Sequence, residues 1–182
     1  MGSNTLARIA DALGWFLTRV GDLGRTNADV IGTRRFPRRL QWDSFSCGSR
    51  STWAIAHHFG RELSHDEVMD GVGTTTEGTA ATPIVKFLRT QGLRAGYHRR
   101  MSNRQLVRAL DRGGVVLVDL NGTHWSVVHA VSAAHVWLAN PSTSQLGRRV
   151  PKATFRSQWT GLGVVVTERP ADHRAKTPRG RR

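Results

Sequence analysis

The sequence predicts an α+β domain, with helices gathered in the first half and an antiparallel sheet in the second. Three observations carry this expectation. Residues 41–112 read as a succession of helical segments, with apolar residues at helical spacing, caps at several starts and glycines beyond several ends. Residues 115–168 change to short β-branched runs separated by turn residues. The length of 182 residues suits one domain of ordinary size with some chain to spare.

Residues 5–20 form the first periodic segment. Leu6, Ile9, Leu13, Phe16, Leu17 and Val20 recur at three- and four-residue spacing, which predicts an amphipathic helix packed on the domain or on a partner. Asp11 stands where the apolar centre of a secretory signal would have to be. The expected place of the chain as synthesised is therefore the cytoplasm, with export by another route left open. Residues 21–40 are rich in Gly and Arg and end near Pro37, which marks a connector. The expected domains are 1–40 for helix and basic connector, 41–168 for the catalytic unit, and 169–182 for a disordered basic tail.

Within the central unit, Cys47 to His58 is a helix stopped at Gly60. Ser64 with Glu67 makes a capping box before a short helix through Met69. Thr79 to Gln91 carries Ile84, Val85 and Leu88 and stops at Gly92, with Pro83 required in its first turn. Ser102 with Gln105 opens a further helix, closed by Gly113 and Gly114. Val115–Asp119, Trp125–Val131, Ala134–Ala139 and Leu162–Thr167 are the expected strands, and residues 140–144 a loop.

Composition narrows the function classes. Hydrophobic residues make up 38% of the chain, with six Trp and six Phe, enough for a core and too much for a disordered chain. No apolar run nears the ~18 residues of a membrane span. A single cysteine excludes an internal disulfide framework and a multi-thiolate metal centre. The formal charge is +14, and all cations except Lys86, Lys152 and Lys176 are arginine. Arg34, Arg35, Arg38 and Arg39 crowd one segment, and six cations fill the tail from Arg169 against Asp172 alone. Such blocks are read as solvated and able to attract an acidic partner or an anionic surface. Acids interleaved through the remainder argue against nucleic acid as the main ligand.

The chemistry gathers around Cys47. A thiol that opens a helix faces the positive end of the macrodipole, which is expected to lower its pKa. The unsatisfied N–H groups of that helix start can also hold an oxyanion. Gln41, six residues upstream, has an amide able to supply a second donor. Of eight histidines, His124 opens a strand directly after the turn Asn121-Gly122-Thr123, where a side chain meets a cleft. With period two, His124 and His129 face opposite ways, so one site takes only one of them. His124 is the candidate base and His129 an ordinary strand residue. Asn140 follows the next strand and can accept from the imidazole; Asn-Pro is equally a turn signal, and Asp119 competes as the orienting group.

Gln41, Cys47-Gly48, His124 and Asn140-Pro141, in that order, resemble the papain-like cysteine peptidases, and most closely the bacteriocin-processing, double-glycine leader peptidases of the C39 type. The resemblance spans residues 41–168, including the segment Gly78–Ala95 and the stretch Val150–Gly161 with Phe155 and Trp159. It implies a papain-like fold and peptide-bond hydrolysis on a peptide or protein substrate. Cys47 is then nucleophile, His124 base, Asn140 orienter and Gln41 oxyanion donor, with no metal or organic cofactor. Ser49 and Arg50 stand where that family usually has Pro and Ala, and Asn140 where Asp is commoner. Thiol acyl transfer or isopeptide cleavage on the same fold is the alternative reaction. A basic binding module without turnover is the alternative from another class.

Overall fold

A computed structural model describes residues 30–142 and 148–169. The expected N-terminal helix and the basic tail beyond Arg169 lie outside the described residues. In chain order the elements are β1 (Ile31–Gly32), α1 (Cys47–His58), α2 (His65–Gly71), α3 (Ala81–Thr90), β2 (Leu93–His98), α4 (Asn103–Asp111), β3 (Val115–Leu120), β4 (His124–Val131), β5 (His135–Ala139), β6 (Arg148–Pro151), α5 (Lys152–Gln158) and β7 (Trp159–Glu168).

Seven strands make one antiparallel sheet in the order β2-β7-β3-β4-β5-β6, with β1 paired to the far end of β4. Alternation along β3 separates two cores. Val115 and Leu117 join Ile55 of α1 and Ile84 and Leu88 of α3. Val116 and Val118 join Leu106 and Leu110 of α4 and Phe155 of α5. β3 is buried on both faces, and its sequence Val-Val-Leu-Val accordingly runs apolar without alternation. The nucleophile helix and α4 thus occupy opposite sides of the sheet.

Both capping boxes form. Ser64 Oγ accepts from Glu67 N and Ser102 Oγ from Gln105 N, and each third residue returns its side chain to the cap N–H. Pro83 lies in the first turn of α3, where its missing N–H costs nothing.

Three elements depart from the expectation. The mostly helical reading of residues 41–112 passes over β2, which pairs with β7 from Leu93↔Glu168 to His98↔Gly163. Its six residues Leu-Arg-Ala-Gly-Tyr-His alternate too weakly to stand out without β7 beside them. β6 and α5, between the Asn-Pro loop and β7, are short and were not expected as elements. The connector is sewn to the domain rather than free. β1 pairs Ile31 with Val131, Thr33 N–H donates to His129 O (2.9 Å), and Phe36 packs on the α1-side core. Arg34 lies over Trp137 and Arg39 over Trp53, each 5.6 Å from the ring centroid, so two of the four clustered arginines stack on indoles. Residues from Ile31 onward group with the sheet and helices in one compact unit.

Strand β4 carries an irregularity at His129. Val128 pairs with Leu138 but Ala130 with Trp137, so His129 is the extra residue of a bulge. Beyond it the alternation is reset, and Val131 joins the α4-side core with Val128. Strict period two would put Val131 on the face of His129 and Val127, opposite Val128, so simple alternation fails at the end of β4.

Candidate active site

The segment before α1 is shaped by Asp43. Its Oδ1 accepts from Phe45 N (2.9 Å) and Ser46 N (2.6 Å), which turns the chain into the helix. Burial pushes the Asp43 carboxyl up. The Ser46 and Phe45 hydrogen bonds and the Arg50 charge outweigh it and hold the group below its usual value. Ser46, at the cap position, gives no side-chain cap to α1. The N–H groups at Cys47 and Gly48 are thereby left to face the sulfur side of the helix end. Ser49 and Arg50 both turn back on Ser46, through Ser49 Oγ to Ser46 O (3.0 Å) and Arg50 Nε to Ser46 Oγ (3.2 Å). The two departures from the usual Pro and Ala tighten this first turn.

Cys47 is buried and unpaired. Burial pushes its thiol up; the N–H groups of Trp125, Gly48 and Cys47 pull it back only in part, and Asp43 adds to the rise. The helix terminus does act in the direction expected, but desolvation is larger and the net shift is upward. Trp125, whose N–H is among the groups that lower the thiol, follows His124 directly in the chain.

At the start of β4, His124 Nε2 lies 2.8 Å from Asn140 Oδ1. The same oxygen accepts from Ser142 N (3.0 Å) and Ser142 Oγ (2.8 Å). A backbone N–H can only donate, so the Asn140 atom it meets is the carbonyl oxygen. The imidazole nitrogen facing that oxygen must then carry a hydrogen, and in the neutral ring Nδ1 keeps the lone pair. Asn140 is 6% exposed, and the three bonds on one oxygen hold both the loop and the tautomer.

Gln41 joins this group through its main chain. Its N–H donates to Pro141 O (2.9 Å), which ties the segment upstream of the cysteine to the Asn-Pro loop. Its side-chain Nε2 donates to Asp43 O (2.6 Å), and Oε1 is buried with no partner among the described residues. One amide hydrogen is committed to Asp43 and the other is available.

The rival candidates have other employment. Asp119 Oδ2 accepts from Thr160 Oγ1 (2.9 Å) on β7. His129 Nδ1 donates to Thr33 O (2.6 Å), and its ring stacks on Phe36 with centroids 5.1 Å apart. It anchors the connector, as a structural strand residue. No group of three or more His, Cys, Asp or Glu suited to a metal occurs among the described residues.

Sequence reasoning passed over Trp125 and Thr79. The Trp125 indole donates to Thr79 O (2.8 Å), and Ser51 Oγ on α1 donates to Trp125 O (3.3 Å). Gly48 lies against this pair, where a Cβ would come 2.7 Å from Thr79 Cβ and 3.1 Å from Trp125 Cδ1. Only the adjacency of Trp125 to His124 in the chain hinted at this.

A cysteine opening a helix, packed on an antiparallel sheet whose next strands deliver an imidazole and its amide partner, defines a papain-like cysteine peptidase. The chain belongs to the peptidase C39 family, whose model matches residues 35–171. It is similar to the lactococcin-A transport/processing ATP-binding protein of Lactococcus lactis subsp. lactis, with 27% identity over 142 residues, 75% of this chain and 19% of that protein. A mesentericin-Y105 transport/processing ATP-binding protein of Leuconostoc mesenteroides is 22% identical over 78% of this chain and 20% of its own length. The chain therefore spans about a fifth of the length of these curated relatives. Among solved structures it resembles a double-glycine-motif protease from an AMS/PCAT transporter in complex with the leader peptide (TM-score 0.67, 17% identity, 77% of this chain, 99% of that one). It also resembles the peptidase domain of Streptococcus ComA (TM-score 0.63, 21% identity, 74% and 100%). At these identities the structural likeness is one of fold. No described helix is long and apolar enough to cross a membrane.

Proposed function

We propose that this chain cleaves peptide bonds at the end of double-glycine leader peptides, with Cys47 as nucleophile, His124 as base, Asn140 as its orienting partner and Gln41 as an oxyanion donor. The observation that supports the roles best is the His124–Asn140 pair: Asn140 Oδ1 accepts from Nε2 at 2.8 Å, which leaves Nδ1 as the basic nitrogen of the ring. The substrate class follows from the relatives, which are named for processing and transport, and from the solved relative bound to a leader peptide.

In this reading the resting thiol is neutral, because burial disfavours the thiolate. His124 Nδ1 takes the Sγ proton as sulfur adds to the scissile carbonyl. The resulting imidazolium is held by the Asn140 oxygen. The Cys47 N–H and the second amide hydrogen of Gln41 receive the oxyanion. Collapse of the tetrahedral adduct breaks the C–N bond, and His124 returns its proton to the leaving amine. Water, deprotonated by His124, then releases the leader carboxylate from sulfur.

Mass spectrometry of a precursor peptide carrying a Gly-Gly leader tests the proposal. The wild-type chain should cut after the second glycine, whereas Cys47→Ala and His124→Ala should each leave the precursor intact, because the pair acts as a unit. Undiminished cleavage by Cys47→Ala overturns the mechanism. Cleavage at unrelated sequences but not at Gly-Gly overturns the substrate class.

A further inference from the structure

An open groove of about 480 Å3 lies between α4 and the outer strands β2 and β7, on the sheet face away from α1. Met101 and Val165 contribute an apolar floor, and Arg94, Arg108 and Arg112 line it. None of the three guanidinium groups has an ion-pair or hydrogen-bond partner among the described residues. The one carboxylate in the lining, Glu168, pairs with Arg61 at 3.3 Å instead. Three like charges held around one apolar floor repel one another, and an anion placed among them relieves that repulsion.

The arrangement points to the kind of anion. Arg108 and Arg112 are four residues apart and so about 6 Å apart along the α4 axis, while Arg94 comes from β2 across the groove. A single phosphate is usually gripped at one point, with backbone N–H groups converging on it. Here the donors are separate side chains spread along a helical turn. Carboxylates spaced along a polypeptide match that spread, and an aliphatic side chain between them matches the floor.

We propose that this groove docks an acidic segment of the polypeptide substrate, remote from the bond cut at Cys47. Carboxylates engage Arg94, Arg108 and Arg112, and an apolar side chain rests on Met101 and Val165. The identity of the occupant as substrate rests on the peptidase reading; the binding does not require turnover and is measured without it.

The test uses the full chain carrying Cys47→Ala and a fluorescein-labelled peptide, Glu-Leu-Glu-Glu-Leu-Glu, read by fluorescence anisotropy. The neutral counterpart, Gln-Leu-Gln-Gln-Leu-Gln, is the first control. The second compares Arg94→Gln/Arg108→Gln/Arg112→Gln with Arg35→Gln/Lys86→Gln/Lys152→Gln, which removes the same charge elsewhere. Thermal melting confirms that both triple variants fold. The acidic peptide should bind and the neutral one should not. The groove variant should bind about 30-fold more weakly and the control variant no more than about 3-fold, as three exposed charge pairs acting together imply. Equal loss in both variants overturns the proposal, since the peptide then senses only net charge. Displacement of the peptide by millimolar inorganic phosphate at constant ionic strength also overturns it, and assigns the groove to phosphate. Neither result touches the cleavage experiment on Cys47 and His124.

Discussion

Replacing Gly48 by alanine tests whether the packing around the nucleophile, rather than the thiol chemistry alone, sets the activity. The added Cβ would lie 2.7 Å from Thr79 Cβ, 2.9 Å from Thr79 Oγ1 and 3.1 Å from Trp125 Cδ1. Carbon atoms prefer about 3.5–4.0 Å, so one side must retreat by close to an ångström. Thr79 is poorly free to do so. Its hydroxyl shares a hydrogen bond with Thr74 Oγ1 (2.8 Å), and its carbonyl holds the Trp125 indole (2.8 Å). The strain therefore falls on α1 and on the Trp125 backbone, the two parts that place Cys47 and His124. Two effects on stability oppose each other. Alanine in a helix gains about 1 kcal/mol over glycine, and overpacking a core costs about 1–3 kcal/mol. The net loss should be about 0–2 kcal/mol, visible as a small drop in the urea midpoint. Activity should suffer more, because a displacement near 1 Å at reacting groups costs about 10²-fold in rate. Thermal or urea unfolding alongside cleavage of the Gly-Gly precursor separates the two. The paired variant Gly48→Ala/Thr79→Gly, which removes the clashing atoms, should recover much of the rate. Wild-type turnover in Gly48→Ala, or no recovery in the pair, refutes the packing argument.

Asn140→Ala should retain less than a tenth of the turnover number and lose about 1–3 kcal/mol of stability, because its oxygen accepts three hydrogen bonds; kcat and the unfolding midpoint check this together. Gln41→Ala should lower kcat by about 10²–10³-fold, the usual loss for one oxyanion donor. Its stability should hardly change, since the lost bond to Asp43 O is offset by removing the orphaned Oε1; a rise in KM at unchanged kcat would instead make Gln41 a pocket wall. His65 is buried, and desolvation with the charges of Arg50 and Arg39 lowers its pKa to about 4. The folded state thus binds fewer protons than the unfolded one between pH 4 and 6.5, so this contribution is complete above pH 6.5 and is lost as pH falls towards 4. The loss should reach up to about 3 kcal/mol. Urea unfolding of wild type and His65→Leu across that range should show a flatter profile for the variant, and parallel profiles would contradict the assignment.

The local chemistry of the site was legible in the chain. A cysteine placed where a helix begins, a glutamine six residues before it, a histidine at a strand start after Asn-Gly-Thr and an Asn-Pro beyond the next strand are each consequences of local rules: caps, turns and strand period. The two capping boxes and the halting of helices at Gly60 and Gly92 belong to the same class, because each is decided by neighbours within about four residues. The preference for His124 over His129 combined strand period, which lets one site take only one of them, with the place of His124 at a strand start beside a turn.

What tertiary contact decided lies where a residue's state depends on partners far along the chain. β2 exists because β7, some seventy residues later, offers its edge; its own alternation is too brief to commit. The arginine-rich connector reads as a solvated block until Trp53 and Trp137 give two guanidinium groups a face to stack on. The bulge at His129 breaks a period that local spacing treats as unbroken. Asn140 and Asp119 could not be separated by spacing; in the fold His124 meets Asn140, while Asp119 accepts from Thr160 on β7. The thiol shows the division most clearly. Its place at a helix start, which favours the thiolate, is local and was readable; its burial beneath Trp125 and the strands is not local, and desolvation at that position is the larger effect.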